Sequence, residues 1–301
     1  MVKVSVVVNV VDEELGVLSR TLESVRGFAD EIILIDMTST GSGLTKLAEK
    51  YGARAHKHKK VSYVEPVRNF SIEKASGEWI LIMDPDEVLP KSLKKKLLEI
   101  VARPSADYFR IPRKNIIFGK WIKHSRWWPD YNIRFFRKGR VEWTEEIHGV
   151  PVTSGKGADL EAEGENALKH YHYNSVEQYI GRMNRYSSKH AELLVKKGYK
   201  FDWGDLIRRP TAEFLGRYFS GEGYKDGVHG LVLSLLQAFS EAVVYIKVWQ
   251  NGGFEKENIK VGDVIGEMGR AEKEVSYWQA DTLIKNGRGG IKQRVKRKFR
   301  L

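Results

Sequence analysis

Three aspartates of the chain follow directly after short apolar runs. Asp36 ends one such run, and Asp84 and Asp86 come directly after the run Trp79–Met83. Two carboxylates that flank a single residue repel each other unless a cation lies between them or one of them is protonated. Pro85 fixes the spacing of this pair because its ring restricts the backbone. The pattern favours a divalent cation that bridges diphosphate oxygens, and ordinary solvated loop acids are the alternative.

The segments before these aspartates predict the scaffold that positions them. The predicted strands are Val2–Val8, Ile32–Asp36, Ala53–Lys57 and Trp79–Met83, and helical spacing of apolar residues follows each of them, at Leu15–Val25, Thr45–Tyr51, Pro66–Ala75 and Leu93–Val101. Alternation of strand and helix predicts a parallel sheet with helices on both faces. Ligands of such sheets bind beyond the carboxyl ends of the strands, which is where the three aspartates fall.

The pattern changes after the first hundred residues. Residues 107–150 are aromatic and basic with short predicted strands, residues 150–168 predict a loop with a weak strand, and a helix is predicted from Ser175 to Lys196. From Trp203 onward the chain is predicted to be mostly helical. We therefore expect an α/β domain over residues 1–174 and a helical region over residues 175–301.

Charge and composition limit the partners of the chain. A formal net charge of +12 favours anionic partners, and the absence of cysteine excludes disulfides and thiolate metal sites. No nucleic-acid recognition module is present. The apolar segment Val228–Trp249 contains charges and is not a clean membrane span. It predicts a core helix, a dimer interface or a membrane-surface helix, and the basic residues after Lys285 favour an anionic membrane surface, with a solvated tail as the alternative.

Two rival chemistries lack their motifs. The first predicted strand-to-helix turn, residues 9–14, contains no glycine, so the phosphate-cradling turn of a dinucleotide-binding dehydrogenase is missing. An aspartate-based phosphotransferase would carry its acid pair after the first strand rather than the fourth. No P-loop occurs either.

Several stretches together resemble glycosyltransferases of family 2 with the GT-A fold, and especially the small enzymes related to the lipopolysaccharide-core glucosyltransferases. The stretches are Val11–Glu14, Ile33–Asp36 with Ser39-Thr40, Pro66–Phe70, Gly77–Glu87, Arg134–Arg137, Ile147-His148, Tyr173–Ser175, Met183–Tyr186 and Gly223–Gly227. Their order and spacing carry the resemblance to about Trp249. It implies a Rossmann-like, mostly parallel sheet that binds a nucleotide-diphosphate sugar.

The resemblance also implies roles for individual residues. Residues implied on the donor side are Asn9, Val11, Glu13, Asp36, Arg68, Asn69 and Asp84. Asp86 is implied as the metal ligand on the diphosphate, and Asp84 contacts the ribose or the metal. His148 is a third candidate ligand because neutral imidazole suits transition metals, and a hydrogen-bonded structural histidine is the alternative.

The acceptor side is expected in the region after the sheet. An inverting enzyme needs one general base, and Glu146, followed by Glu145, is the first choice because Thr144-Glu145-Glu146 resembles the Thr-Glu-Asp stretch of processive family members. A charged turn before a strand is the alternative. Three aromatic residues are candidates for stacking on acceptor sugar or for packing a lid over the sheet, namely Trp127, Trp128 and Tyr131.

The expected function is inverting transfer of a sugar from a UDP- or GDP-sugar, with Mg²⁺ or Mn²⁺, to a lipid-linked or cell-envelope glycan. The expected location is the cytoplasm, with peripheral binding to the inner face of the cell membrane. Three alternatives stay open: a sugar nucleotidyltransferase, a metal-dependent phosphotransferase and a non-catalytic nucleotide-binding scaffold. A nucleotidyltransferase would carry a glycine-rich first loop with a basic residue, which residues 9–14 lack.

Overall fold

The computed structural model of the protein describes residues 3–61, 65–144 and 151–300. Their packing divides the chain into two compact units. Unit 1 consists of Met1–Ile116 and Pro129–His172, and unit 2 of Ile117–Trp128 and Tyr173–Leu301. The division at residues 174 and 175 stays a prediction about domains, and the packing assigns residues 117–128 to unit 2.

The elements of unit 1 begin with the alternation that the sequence predicts. They are β1 (Val4–Val10), α1 (Leu15–Val25), β2 (Glu31–Asp36), α2 (Ser42–Tyr51), β3 (Arg54–Lys57), α3 (Glu65–Lys74), β4 (Trp79–Met83), β5 (Glu87–Val88) and α4 (Lys91–Ala102). Strands then dominate: β6 (Tyr108–Ile117), β7 (Lys120–Trp121, in unit 2), β8 (Asp130–Arg137), β9 (Val141–Glu142), β10 (Val152–Thr153), β11 (Gly157–Asp159) and β12 (Leu168–Tyr173).

The main sheet has the strand order β3-β2-β1-β4-β8-β6-β12-β5. β3, β2, β1 and β4 are parallel, β8 pairs antiparallel with β4, and β12 pairs antiparallel with β5. Because β5 follows β4 after a single turn, the strands β4, β8, β6, β12 and β5 surround that turn. The carboxyl ends of the parallel strands therefore lie beside these antiparallel strands.

Two hydrophobic clusters cover the two faces of the sheet. Leu18 and Leu22 of α1 and Leu93 of α4 belong to one cluster, and Val67 and Ile72 of α3 belong to the other. Of the parallel strands, β1, β2 and β4 are buried on both faces, as their continuous apolar runs predict, whereas the edge strand β3 is mostly exposed. The predicted parallel sheet with helices on both faces is thus confirmed, and the ends of its four parallel strands lie within two residues of prediction.

Unit 2 is helical, as the sequence predicts. Its helices are α5 (Val176–Lys196), α6 (Asp205–Leu215), α7 (Val228–Asn251), α8 (Val261–Lys285) and α9 (Ile291–Phe299). A π-helical turn at Gly216–Ser220 and a 3₁₀ turn at Gly223–Asp226 connect α6 to α7. The hydroxyl of Ser175 caps α5 by accepting a hydrogen bond from the backbone N–H of Gln178 at 3.2 Å.

Of the helices in the described ranges, α7 alone is long and apolar enough to cross a membrane. About a third (33%) of its most apolar window is buried. The core helix of a soluble protein meets the same criterion of length and composition. Length and composition alone therefore do not distinguish a core helix from a membrane-facing one.

Candidate active site

The site is built around the turn Asp84–Glu87 between β4 and β5. The backbone N–H of Glu87 donates to the carbonyl of Asp84 at 3.0 Å, and the Glu87 carboxylate accepts from the N–H of Asp84 at 2.9 Å. The Thr21 hydroxyl donates to the Pro85 carbonyl at 2.5 Å, and the N–H of Tyr171 donates to the Asp86 carbonyl at 3.0 Å. The turn is therefore fixed from α1 and β12 as well as from within.

Three arginines surround the carboxylate of Asp84. Arg134 of β8 donates to both of its oxygens, to Oδ1 at 3.2 Å and to Oδ2 in a shorter contact. Arg68 of α3 and Arg113 of β6 bring guanidinium nitrogens to 3.7 and 3.6 Å from the same group. Burial raises the pKa of Asp84, but the arginines outweigh it and hold that pKa well below its usual range.

Glu87 lies deeper beside the same arginine. It is fully buried, and its Oε1 accepts from Arg134 at 2.8 Å. Burial raises the pKa of Glu87, and the neighbouring charge of Asp84 raises it further. Both acids thus depend on Arg134, a residue that is itself 2% exposed.

Asp86 has different neighbours from Asp84. Its Oδ1 lies 3.4 Å from Nε2 of His170 on β12, and its side chain is almost entirely buried. His170 Nδ1 lies 2.6 Å from Oδ1 of Asn115 on β6, within hydrogen-bond distance. The ring of His172 packs edge-on against His170 with centroids 4.5 Å apart.

The resemblance to family 2 glycosyltransferases implies a divalent cation, and the described residues of the turn offer one carboxylate for it. No group of three or more acids or histidines that could hold a metal lies among the described residues. Both oxygens of Asp84 are bonded to Arg134. Mg²⁺ is often held by one or two carboxylates with substrate phosphates as the remaining ligands. Asp86 fits that arrangement, whereas Asp84 does not.

Asp36 lies at the carboxyl end of β2. Its Oδ1 accepts from the N–H and hydroxyl of Thr38 at 2.9 and 2.6 Å, and Oδ2 lies 2.8 Å from Nζ of Lys57. Burial raises the pKa of Asp36, but the hydrogen bonds from Lys57 and Thr38 more than offset it and leave that pKa lowered. Asp36 is thus held ionised at the edge where the sequence predicts the nucleotide.

The end of β1 adds polar groups at the same edge. Asn9 is 7% exposed, and its Oδ1 has no hydrogen-bond partner within the described ranges. Because a buried unpaired carbonyl is costly, this atom favours a ligand there. Val11 precedes the 3₁₀ turn Asp12–Glu14, on which Glu13 is exposed and lies 3.5 Å from Lys60.

The predicted donor residues of α3 both contact Trp143. Asn69 donates to the Trp143 carbonyl at 2.8 Å and accepts from its N–H at 2.9 Å, so its amide holds the backbone there. The Arg68 guanidinium lies 5.2 Å from the centre of the Trp143 ring. Glu145, Glu146 and His148, the predicted base and third ligand, lie outside the described residues.

The predicted acceptor aromatics have separate environments. Trp127 packs against the apolar cluster of unit 2, and Trp128 meets Trp121 edge-on at 5.1 Å. Tyr131, in unit 1, donates its hydroxyl to the Leu160 carbonyl at 2.7 Å. Packing therefore accounts for Trp127 and hydrogen bonding for Tyr131, and the stacking role stays a prediction.

Four polar residues of the site do not appear among the sequence-predicted ones, namely Glu87, Arg113, Arg134 and His170. One signal was available for Arg134, which is a charge inside the apolar run Ile133–Phe136. Glu87 directly follows the acid pair. Arg113 and His170 are distant in sequence from the turn, and only the antiparallel strands bring them to it.

The fold and this edge define a class. A parallel sheet that ends in a fixed acidic turn, extended by antiparallel strands, is the arrangement of GT-A nucleotide-sugar transferases. Residues 5–155, about half of the chain, match the family model described as glycosyl transferase family 2. The chain belongs to that family and is a glycosyltransferase.

Relatives resemble most of the chain. An uncharacterized glycosyltransferase of Rickettsia conorii is 26% identical over 82% of this chain and 89% of its own. The lipopolysaccharide core biosynthesis glycosyltransferase LpsC of Rhizobium meliloti is 26% identical over 79% of this chain and 88% of its own. Among solved structures, S. aureus TarS 1-349 in complex with UDP aligns over 86% of this chain and 95% of its own, with 14% identity and a TM-score of 0.44.

Proposed function

We propose that this glycosyltransferase inverts the anomeric centre of a sugar that it moves from a UDP- or GDP-sugar, with Mg²⁺ or Mn²⁺, to a cell-envelope or lipid-linked glycan. One observation carries the proposal. In a chain of glycosyl transferase family 2, the turn Asp84–Glu87 is fixed at the carboxyl end of β4 with Asp84 among three arginines. An anionic diphosphate with a cation fits this mixture of fixed charges.

The donor's nucleoside is assigned to the edge formed by β1 and β2. Asp36 is ionised and offers acceptor oxygens, and the unpaired Oδ1 of Asn9 offers another. Both groups can accept from base N–H or ribose O–H groups. Arg68, 12% exposed at its side chain and 3.7 Å from Asp84, is assigned to steady the donor.

Asp86 is the residue assigned to hold the divalent cation. When bound, that cation neutralises the charge that develops on the diphosphate leaving group. His170 supports Asp86 from the side, at 3.4 Å. The arginines around Asp84 add positive potential at the same edge.

Transfer then needs one proton acceptor. The base removes the proton of the acceptor hydroxyl while the oxygen of that hydroxyl bonds to the anomeric carbon. At the same time the bond between the anomeric carbon and the diphosphate oxygen breaks. Glu146, followed by Glu145, is proposed as that base. Its segment starts near the donor edge because Trp143, two residues before Glu145, is held by Asn69 and lies under Arg68.

The proposed acceptor class comes from a relative. LpsC is described as a lipopolysaccharide core biosynthesis enzyme, and it aligns over most of both chains. Trp128, half-buried against Trp121, offers an aromatic surface of the kind on which sugar rings stack. A cell-envelope glycan is therefore the first acceptor to test.

Nucleotide binding is the first experiment. Thermal unfolding of the protein is followed with UDP, GDP, CDP and ADP, each with and without Mn²⁺. A nucleotide at 100 times its dissociation constant adds about 2.7 kcal/mol to the unfolding free energy. We expect UDP or GDP with Mn²⁺ to raise the transition temperature most, and no shift with any of them would contradict the proposal.

The cation assignment is tested with Asp86→Asn. We expect turnover with Mn²⁺ to fall by at least about a hundredfold while cooperative unfolding is retained, because the amide removes the charge that holds the cation. Asp159→Asn is the matched control, since the ion pair of Asp159 within the described ranges is with the exposed Arg110. Equal turnover of Asp86→Asn and the control would refute the assignment.

The reaction products separate the alternatives. A non-catalytic scaffold would bind nucleotide without any transfer product from the acceptor. A nucleotidyltransferase would release pyrophosphate from a nucleoside triphosphate and a sugar phosphate. Product analysis with each substrate pair distinguishes these outcomes from glycosyl transfer.

Peripheral binding to an anionic membrane is proposed for unit 2. On α9, Ile291, Val295 and Phe299 follow one another at intervals of four and are 83, 41 and 61% exposed. The helix also carries Lys292, Arg294, Lys296, Arg297 and Lys298. An exposed apolar stripe flanked by cations is typical of helices that lie in the membrane interface.

A further inference from the structure

β8 contains one residue more than its partner strand at Arg134. Phe109 of β6 pairs with Phe135, and the next residue, Arg110, pairs with Ile133. Arg134 is thus the extra residue of a β-bulge, with no opposite residue on β6. Bulges re-aim side chains and are frequent beside active sites.

The bulge directs Arg134 into the acidic turn. Its guanidinium donates to both oxygens of Asp84 and to Oε1 of Glu87, and its side chain is 2% exposed. Its Nε has no hydrogen-bond partner within the described part of the chain. A buried arginine with two carboxylates is costly to desolvate, so a purely structural role could be met more cheaply by apolar residues.

The bidentate contact affects what Asp84 can bind. A planar guanidinium fits both carboxylate oxygens and is always charged. A divalent cation on Asp84 would have to approach Arg134 and also Arg113, whose Nη1 lies 3.6 Å from the same carboxylate. Asp86 faces a different group, because its Oδ1 lies 3.4 Å from Nε2 of His170.

We propose that Arg134 is a positioning residue that keeps Asp84 from the divalent cation and aims it at the nucleotide donor, leaving Asp86 as the turn's carboxylate for the cation. The inference rests on the proposed function. It goes beyond it because it makes one buried arginine responsible for the different roles of two neighbouring acids.

The experiment measures cation and nucleotide binding rather than turnover alone. Arg134→Lys keeps the positive charge but loses the two-pronged guanidinium. Arg134→Gln combined with Glu87→Gln removes the guanidinium together with one buried carboxylate, so that the charge balance is kept. Arg110→Lys is the matched control because Arg110 forms a bidentate pair with Asp159 at the exposed edge. Circular dichroism and cooperative unfolding establish that each variant is folded.

Mn²⁺ binding without nucleotide is followed by electron paramagnetic resonance, and UDP and GDP binding by calorimetry with Mn²⁺ present. We expect the double variant to bind Mn²⁺ about tenfold more tightly and the nucleotide about tenfold more weakly, because Asp84 becomes available to the cation. Arg134→Lys should shift the Mn²⁺ and nucleotide affinities in the same directions as the double variant, but by smaller factors. Arg110→Lys should leave both affinities unchanged. A structural role alone would not move the two affinities in opposite directions.

Asp84→Asn provides a test that leaves Arg134 paired with Glu87. We expect it to leave the Mn²⁺ affinity unchanged and to weaken nucleotide binding, whereas Asp86→Asn should lose Mn²⁺ binding. Equal loss of Mn²⁺ in both aspartate variants, or unchanged affinities in both folded Arg134 variants, would overturn the inference. If the wild type binds Mn²⁺ but none of the nucleotides, the proposed donor is wrong as well. If it binds nucleotide and the variants match it, the inference alone fails.

Discussion

At the residue scale, the neighbours of a carboxylate determine its chemistry more than its position in a motif. Asp84 and Asp86 are one residue apart, but an arginine fork engages one and a histidine faces the other. The pair Asp36–Lys57 shows the same principle at the carboxyl end of β2. An ionised acid is retained in a nearly buried place because donors surround it.

That pair predicts a pH dependence of stability. The folded-state pKa of Asp36 is lowered, so its contribution to the unfolding free energy is present above the unfolded value of about 3.9 and is lost as the pH falls through the folded value. We expect Lys57→Met to cost about 1 kcal/mol at pH 7, because Lys57 is well exposed, and progressively less as the pH falls and Asp36 becomes protonated.

Urea unfolding of the wild type and Lys57→Met at a series of pH values measures this difference. Lys46→Met, an exposed lysine of α2, is the control and should show a difference near zero throughout. A Lys57→Met penalty that stays constant down to pH 3 would show that the ion pair does not cause it.

The general base gives the second prediction at this scale. We expect one of Glu145→Gln and Glu146→Gln, with Glu146 first, to lower turnover by about 10²–10⁴-fold with donor affinity nearly unchanged, because the amide cannot accept the proton. Steady-state rates at saturating donor and acceptor measure this. Glu142→Gln, exposed on β9, is the control. If both amides turn over at wild-type rates, His148 becomes the next residue to test.

At the scale of elements, sequence pattern predicts the parallel half of the sheet and parts of β6 and β8, but it misses β5 and β12. β1, β2 and β4 are buried on both faces, so their apolar runs are unmistakable. β12 carries His170 and His172, whose rings pack together, and β5 is two residues long. Neither has an apolar pattern. Their pairing depends on tertiary contacts, which is why His170 could not be placed from the sequence.

Gly77, between α3 and β4, lies directly against the start of β1. A Cβ on Gly77 would lie 2.6 Å from the Ser5 hydroxyl, 2.8 Å from its backbone nitrogen and 2.9 Å from the Lys3 carbonyl. Backbone cannot move aside as a flexible side chain can. We therefore expect Gly77→Ala to lower the unfolding free energy by about 1–3 kcal/mol.

The matched control is Gly181→Ala on α5. A Cβ there meets nothing within 4 Å, so alanine should stabilise the helix by about 0.5–1 kcal/mol. Chemical denaturation of both variants measures the contrast in sign. If Gly77→Ala had the stability of the wild type, the start of β1 would be able to shift without lowering the unfolding free energy.

At the scale of the whole molecule, the positive charges of the two units have different partners. The net charge is +12, yet several arginines of unit 1 are neutralised by the acids of the site. In unit 2, Lys296 and Arg297 of α9 contact Ser276 and Asp281 of α8 at 3.1 and 3.3 Å. These contacts attach α9 to α8 by its polar side and leave its apolar stripe exposed.

This arrangement predicts how α9 contributes to membrane binding. An anionic surface attracts each nearby Lys or Arg by about 1 kcal/mol, and salt weakens that attraction. We expect the protein to float with anionic vesicles at low salt and less at high salt. Ile291→Ser with Phe299→Ser should weaken flotation through the lost apolar contact, and Lys292→Gln with Lys298→Gln should weaken it through the lost charge.

The control is Lys95→Gln with Lys96→Gln, which are exposed on α4 of unit 1. This pair removes equal charge and should leave flotation unchanged. Equal effects of the two lysine pairs would mean that net charge rather than α9 attracts the membrane, and equal flotation with neutral vesicles would contradict an electrostatic contribution.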